Sequence, residues 1–428
     1  MSGLTYLEKL LDGAGVEWLP LEDIAEIYGG LTGKSKSDFD NGNARYISYK
    51  NIFNRIDINK LPEDFVTVNE KECQHKVMYG DVLFTGSSEI ANEAGISSAV
   101  TIDFNEPVYL NSFSFGVRFN NDIKVIPEFS KYLFRTSVMR HEIAKSASGV
   151  TRFNVSKSRF KKILIPIPCP ENPAKSLAIQ SEIVRILDAF SALTNELTNE
   201  LTNELKLRRK QYNYYREKLL SFDKGAVEWK TLGEIARIQR GASPRPIAKY
   251  LTEESNGIPW IKIGDSSPGS KYIDKTLQKV TAEGAKKSRI LNPGDFIISN
   301  SMSFGRPYIL RITGAIHDGW ASISDFGERL NPDYLYHYLS SKNVQNYWES
   351  KINSGSVSNL NADIIKTLPV SLPDKEKQTC IANILDKFDA LTNSITEGLP
   401  REIELRKKQY EYYRDLLFSF PKPTHIDN

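Results

Sequence analysis

Three stretches carry residue types that could support chemistry. Tyr28-Gly29-Gly30-Leu31-Thr32-Gly33-Lys34-Ser35 has the glycines, lysine and serine of a loop that cradles phosphates on backbone N–H groups. That motif needs four residues between its glycines, and only three separate Gly29 from Gly33. A strand-to-loop turn whose glycines relieve backbone strain is the expectation. The five histidines, His75, His141, His317, His337 and His425, make no metal-ligand spacing with Cys73, Cys169 and Cys380, apart from the isolated Cys73-Gln74-His75. There is no Gly-x-Ser-x-Gly elbow and no convincing set of metal-binding carboxylates. The sequence therefore offers no catalytic residue and no metal site of its own.

A third stretch, Asn331-Pro332-Asp333-Tyr334, resembles the catalytic tetrapeptide of amino-methylating DNA methyltransferases. Its third residue differs, and no glycine-rich cofactor loop precedes it, so a helix start with Pro332 in the first turn is expected. A chain of 428 residues has room for two to four domains, and 40% hydrophobic with 25% charged residues places it among folded globular proteins. Glu8, Lys9 and Asp12 interrupt the apolar residues of the N-terminus, unlike a signal peptide. No apolar run approaches the roughly 20 residues that span a bilayer. Three scattered cysteines suit a reducing compartment, so the cytoplasm is the expected location. With a net charge of only +3, any nucleic-acid surface must be local.

Self-similarity supplies the elements that must position such a surface. Ile186-Leu187-Asp188-Ala189-Phe190-Ser191-Ala192-Leu193-Thr194-Asn195 returns as Ile384-Leu385-Asp386-Lys387-Phe388-Asp389-Ala390-Leu391-Thr392-Asn393. Leu207-Arg208-Arg209-Lys210-Gln211-Tyr212-Asn213-Tyr214-Tyr215-Arg216 returns as Leu405-Arg406-Lys407-Lys408-Gln409-Tyr410-Glu411-Tyr412-Tyr413-Arg414, again at an offset of 198 residues. Starting at the end of the first segment and running toward Leu207, Leu-Thr-Asn-Glu is written three times from Leu193 to Glu204. Apolar residues step by threes and fours from Ile183 through Leu187, Phe190, Leu193, Leu197, Leu201 and Leu205 to Tyr212 and Leu219, and each has an apolar counterpart 198 residues later. Two long helices with matching seams are expected, packed on each other. Gly398-Leu399-Pro400 should kink or break the second, because proline costs roughly 3 kcal/mol and glycine about 1 kcal/mol inside a helix.

A globular segment precedes each helix. Gly15 to Ile27 matches Ala226 to Ile238, Tyr46-Ile47-Ser48 matches Trp260-Ile261-Lys262, and Gly80-Asp81 matches Gly294-Asp295, while the stretches between diverge. Short alternating runs at Asp81 to Thr85, Phe113 to Phe119 and Phe296 to Ser299 predict strands; Glu128 to Ser146 and Pro332 to Ile352 predict helices. Trp18 and Trp229 occupy matching scaffold positions and are expected in the core. The fold class is α+β, with two mixed α/β domains on two long helices and a pseudo-twofold internal repeat. The expected boundaries are 1–174 and 223–373 for the domains, 175–222 and 374–420 for the helices, and 421–428 for a tail.

Two variable globes, each followed by a helix ending in Lys-Gln-Tyr-x-Tyr-Tyr-Arg, with a short tandem repeat in the first helix, resemble the specificity subunit of a type I restriction-modification enzyme. The likeness covers nearly the whole chain. It implies a non-catalytic subunit whose two target recognition domains each bind half of a bipartite double-stranded DNA sequence. The helices would form an antiparallel coiled-coil spacer and dock methyltransferase subunits, two in number, and through them the motor-nuclease restriction subunits. S-adenosylmethionine, ATP and Mg2+ would belong to those partners, with none bound by this chain. A free-standing bivalent DNA-binding protein and a DNA-modifying enzyme are the alternatives.

Base reading needs paired donors and acceptors on loops, while phosphate contacts position the protein. The stretches that offer both yield Thr32, Lys34, Lys36, Lys50, Asn51, Ser87, Ser88, Thr151, Arg152 and Asn154 as candidates in the first globe. The second supplies Arg240, Ser243, Arg245, Lys262, Asn300, Ser303, Arg306, Ser356 and Asn359. Arg208, Tyr212, Tyr215, Arg406, Tyr410 and Tyr413, at the helix ends, are the candidates for partner docking, although basic residues there also complement the helix dipole.

Overall fold

The computed structural model of the chain describes residues 6–223, 225–267, 269–300, 305–353, 359–394 and 396–422. It divides into two compact units, Met1–Glu196 with Arg406–Asn428, and Leu197–Leu405. The first unit holds a five-stranded sheet in the order Ala25–Gly29, Ser114–Phe119, Val82–Thr85, Ser97–Val100, Asp57–Ile58. The second repeats that order with Arg237–Arg240, Trp320–Ser324, Phe296–Ser299, Pro307–Leu310, Tyr272–Ile273. In both sheets the first three pairings are antiparallel and the last is parallel. A second sheet centres on Ala44–Ile47 in one unit and Ile258–Ile261 in the other, each with one parallel and one antiparallel neighbour. Each unit closes by pairing its first strand with its last, Val16–Pro20 with Leu164–Pro168 and Glu228–Thr231 with Pro369–Leu372. The repeat therefore extends through topology even where the sequences diverge.

The matched Gly-Asp pairs make one turn twice. Gly80 and Gly294 have φ of 89° and 94°, and Asp81 and Asp295 accept from the N–H groups of Met78 and Asn292, both at 2.8 Å. Beneath the first sheet Phe84, Phe115 and Phe160 pack with centroids 4.9 to 5.3 Å apart. Leu417, Phe418 and Phe420 join this core, so the segment that closes the second long helix is structural. The second core takes Leu220 and Phe222 from the end of the first long helix.

That helix runs unbroken over Pro173–Leu219, begun by Asn172, whose side chain accepts from the Lys175 N–H at 3.0 Å. The second is broken, as Gly398 and Pro400 lead one to expect, into Lys375–Asn393 and Gly398–Leu417. Gly398 opens the new helix with φ of 78°, and Pro400 falls in its first turn, where a missing N–H costs no helical bond. Within the first unit Phe190 stacks on Tyr413 at 5.3 Å and Ser191 meets the Tyr410 hydroxyl at 3.0 Å. Within the second, Tyr212 and Tyr215 stack on Phe388, and Arg209 reaches the Thr392 carbonyl at 3.3 Å. These pairs run in opposite chain directions, which makes the packing antiparallel. Leu193 departs from the expected seam and is exposed, while Leu197, Leu201 and Leu205 are half-buried.

Each predicted globe helix is two helices, Pro127–Leu133 with Ser137–Ser146, and Pro332–Leu339 with Lys342–Asn353. Capping groups explain the breaks. Thr136 accepts from the Met139 N–H, and Ser341 from the Val344 N–H. A carboxylate near the end of a spacer helix completes each cap: Asp415 accepts from the Ser137 N–H at 3.2 Å and Glu217 from the Lys342 N–H at 2.7 Å. Asn331 does start a helix, accepting from the Asp333 and Tyr334 N–H groups. Trp18 is half-buried and donates to the Pro421 carbonyl at 2.8 Å. Trp229, expected in the core, is exposed on a strand that pairs with a single neighbour.

A polar network ties each domain to its helices. In the first unit the Tyr132 hydroxyl donates to Asp188 at 2.6 Å and Lys131 reaches the same oxygen at 2.9 Å. In the second, Asp386 accepts from Lys271 at 2.6 Å and lies 2.7 Å from His337 Nε2, while the Tyr212 hydroxyl meets His337 Nδ1 at 3.0 Å.

Candidate nucleic-acid interface

The second strand of each five-stranded sheet, Ser114–Phe119 or Trp320–Ser324, begins beside the ends of its two neighbours. Ser114 lies opposite Thr85 and Phe115 opposite Gly29; in the second unit Trp320 lies opposite Ser299 and Ala321 opposite Arg240. The loops leaving those neighbours therefore emerge at one sheet edge, around the turn that feeds this second strand. That turn is built identically in both units. Asn111 N–H donates to Ile47 O and His317 N–H to Ile261 O, at 3.1 and 3.0 Å. Gly30 N–H donates to Ser114 O and Gly241 N–H to Trp320 O, at 3.1 and 2.8 Å. Gly86 N–H donates to Phe113 O and Asn300 N–H to Gly319 O, at 2.8 and 3.1 Å. The turn is also capped from within: Phe113 N–H donates to Asn111 Oδ1 at 3.0 Å, Gly319 N–H to His317 Nδ1 at 2.9 Å.

Glycine is required where the first loop crosses this turn. A Cβ on Gly30 would lie 1.9 Å from the Asn111 carbonyl oxygen, and one on Gly241 2.1 Å from that of His317. Close approach at Gly30, together with the left-handed φ of 68° at Gly33, accounts for the phosphate-loop likeness. The segment continues into a 3-10 turn, Lys36–Phe39, and Lys34 is tied to Glu72 at 2.5 Å, holding that carboxyl down to about 2. Among the described residues no group of three or more His, Cys, Asp or Glu side chains is placed to hold a metal ion.

In the first unit the candidates assemble around a small sheet in which Phe153–Val155 pairs with both Ala147–Ser148 and Ser87–Ser88. Arg152 donates from Nε to Ser87 Oγ at 3.0 Å, and the Tyr49 hydroxyl donates to the Ser87 carbonyl at 2.9 Å. Lys50, Thr151, Arg152 and Asn154 are exposed on this cluster, and Thr32 and Lys36 are exposed on the neighbouring loop. Ser87 and Ser88 are buried, the latter accepting from Ile90 N–H, and Asn51 caps its own helix by accepting from Ser48. Together with Lys34, these residues hold loops in place.

In the second unit Arg240, Ser243, Arg245 and Asn300 converge on Asp318. Arg240 Nε and Asn300 Nδ2 both reach its carbonyl oxygen at 3.4 Å, Ser243 Oγ accepts from its N–H at 3.3 Å, and Arg245 lies 3.5 Å from its carboxylate. Burial works to raise the Asp318 pKa, but Ser243, His317, Arg245 and Arg240 outweigh it and hold the carboxyl below its ordinary value. Lys262 directly follows the strand that accepts from His317, and its ammonium reaches Gln278 at 2.8 Å. Arg306 is half-buried against Tyr308, and Asn359 is exposed beyond this cluster. Ser303 and Ser356 lie outside the described residues.

The turn itself, with Ser112, Phe113, His317 and Asp318, escaped the sequence reading. The offset of 214 residues between Gly80-Asp81 and Gly294-Asp295 would carry Phe113 onto Gly327, whereas the backbone bonds set it against Gly319, so the sequence offers no signal for this match. At the helix ends, Tyr212 is buried and Tyr410 and Tyr413 face the first unit's own packing, while Arg208 and Arg406 are half-buried and Tyr215 is exposed. The most exposed aromatics there are Tyr214 and Tyr412, at 60% and 64%. Among the described residues no helix is long and apolar enough to cross a membrane.

Two like domains, each presenting one loop-ringed sheet edge, give the chain the duplicated plan of a two-site recognition protein. A family profile for the type I restriction modification DNA specificity domain matches residues 14–207 and again 226–405. The specificity subunit of the Escherichia coli type I restriction enzyme EcoR124I/EcoR124II is 37% identical, covering 100% of both chains. That of EcoprrI, also from Escherichia coli, is 34% identical over 93% of each. A solved structure from work on complex assembly and conformational transition of the type I R-M system shares the fold, with a TM-score of 0.67 at 17% identity over 94% of this chain and 97% of the other. The chain belongs to the family of type I restriction-modification specificity subunits, the non-catalytic components that carry two tandem DNA specificity domains.

Proposed function

We propose that each unit binds one half of a split double-stranded DNA target through the loops around its reading turn, 111–113 in the first and 317–319 in the second. The observation that carries this is the duplicated turn: one backbone arrangement, made twice, ringed by different polar and cationic side chains. In the first unit Lys36, Lys50, Thr151, Arg152 and Asn154 meet DNA; in the second Arg240, Arg245, Lys262 and Asn300 do. Ser87, Asn51 and Ser243 position them. The bidentate donors and acceptors of Arg and Asn suit guanine and adenine edges, and Lys suits phosphates.

The helix ends serve a different partner. Tyr214 and Tyr412, with Tyr215, Arg208 and Arg406 nearby, offer two copies of an aromatic and basic surface, and aromatic residues with Arg are enriched in protein interfaces. Two methyltransferase subunits, which bind S-adenosylmethionine, dock there; restriction subunits using ATP and Mg2+ join through them. The assembly works in the cytoplasm. Replacing Tyr214 and Tyr412 together by alanine should cut co-purification with the methyltransferase subunit at least tenfold, since central interface tyrosines contribute about 2 kcal/mol each, and leave binding to bare DNA unchanged. Undiminished co-purification would remove the helix ends from the docking surface; a wild-type chain that captures no methyltransferase would favour a free-standing DNA-binding protein.

A further inference from the structure

The two reading turns differ in what they display on the same backbone. Asn111-Ser112-Phe113 stands where the second unit has His317-Asp318-Gly319, with every main-chain hydrogen bond of one matched in the other. The frame is rigid in the first unit, because Gly30 and Gly86 press against it so closely that an added Cβ would lie 1.9 Å from Asn111 O and 2.6 Å from Phe113 O. Asn111, buried, bonds Ile47 O at 3.0 Å and Ser114 Oγ at 2.9 Å, so the turn has no freedom to fold Phe113 inward. The phenyl ring is consequently 67% exposed, while Phe115, two residues on, is buried in the aromatic core. A large ring held out of the core forgoes substantial apolar burial. The loops bonded to the same turn lead on to Thr32, Lys36 and Lys50, and Arg152 bonds Ser87, next to Gly86.

We infer that Phe113 is the apolar base reader of the first unit, lying against the 5-methyl group of a thymine in that half-site. This rests on the DNA-reading role proposed for the sheet edge. The choice follows from groove chemistry: polar side chains on either side read donors and acceptors at base edges, and the apolar feature those edges present in the major groove is the thymine methyl. Gly319 at the matching position offers no such contact, so the second unit reads its bases without it.

The test uses the full chain bound to its methyltransferase subunits, with duplexes carrying thymine or deoxyuracil at each thymine of the first half-site. Phe113→Ala should weaken binding to the thymine duplex about 5- to 30-fold, and one thymine-to-uracil exchange should weaken wild-type binding to a similar degree. The two changes together should cost no more than either alone. Phe113→Leu should retain part of the discrimination, and exchanges in the second half-site should affect wild type and variant equally. Equal losses on thymine and uracil duplexes, no loss at all, or a first half-site lacking thymine would each overturn the assignment. A uniform loss accompanied by base unstacking, seen as 2-aminopurine brightening in the wild-type complex, would make Phe113 a wedge instead. Lys50→Ala and Arg152→Ala separate the two levels: if they weaken binding and Phe113→Ala does not, only the thymine contact fails, whereas if none of the three matters the sheet edge is not the DNA surface.

Discussion

Replacing Asp386 with alanine should destabilise the second unit by about 3 kcal/mol, the cost of stranding buried charge partners, and leave the first unit's unfolding unchanged. Lys271 is nearly inaccessible and shares its ammonium between Asp386 at 2.6 Å and Asp333 at 2.7 Å; without Asp386 it keeps one anion instead of two. His337 is fully buried and loses its Nε2 partner while Tyr212 still occupies Nδ1. These bonds join the helix Pro332–Leu339 to both long helices of the unit, so the loss should appear as faster amide exchange in Pro332–Leu339 and a lower urea midpoint. Burial holds the His337 pKa below its ordinary value, so the unfolded chain takes up this proton first and stability is lost as pH falls below about 6.5. For Asp386 burial acts to raise the pKa, but the bonds from His337 and Lys271 prevail and lower it, adding a further loss below about pH 4. The first unit has Tyr132 in place of His337 and should show no such sensitivity between pH 5 and 6.5. An unchanged urea midpoint in the alanine variant would reduce the network to a surface contact.

Removing one Leu-Thr-Asn-Glu unit, for example Leu197 to Glu200, should shorten the unspecified gap between the two half-sites by one or two base pairs without altering either half-site. Four residues carry about 6 Å of helix and 400° of rotation, or roughly 40° past a full turn. The deletion therefore nearly preserves the helix face. Little packing is lost, because Thr and Asn of the repeat are largely exposed and its leucines are at most half-buried. Ile183 and Leu187 at one end of the helix belong to the first core, and Tyr212 and Leu220 at the other belong to the second. The matching stretch of the second half is interrupted between Asn393 and Gly398, which leaves the first helix as the continuous rod. A methylation pattern with an unchanged gap would refute the role of helix length.

Most of the architecture was legible because it is periodic or duplicated. The offset of 198 residues exposed the paired helices, and the 3.6-residue period of Ile183, Leu187 and Phe190 predicted the face they bury. Gly398 and Pro400 announced the helix break through backbone chemistry alone. What escaped depends on contacts distant in sequence. Neither Glu128 to Ser146 nor Pro332 to Ile352 contains a proline or glycine that would divide it after its start; Asp415 and Glu217 divide them by capping from another element. Phe418 and Phe420 looked like a helix end before a tail, yet they fill the core begun by Leu7 and Leu11. Trp229 has the sequence context of Trp18 but not the segment that covers it. The loops singled out by composition do gather at each unit's own sheet edge, with Arg152 beside Ser87 in the first and Arg240, Ser243, Arg245 and Asn300 around Asp318 in the second. Composition could not separate side chains that face outward from those, such as Ser87 and Asn51, that hold the loops together. The reading turn was invisible because its defining feature is a set of backbone bonds shared by Asn111-Ser112-Phe113 and His317-Asp318-Gly319, which have no residue in common.

The most direct test of a two-domain specificity subunit is to express the chain with its methyltransferase subunit and map the methylated bases across a whole genome. Two short motifs separated by a gap of fixed length and free sequence are expected, with one motif changing when loops of the first unit are exchanged and the other when those of the second are. A single contiguous motif, or a pattern in which exchanging loops of one unit alters both halves, would contradict the account.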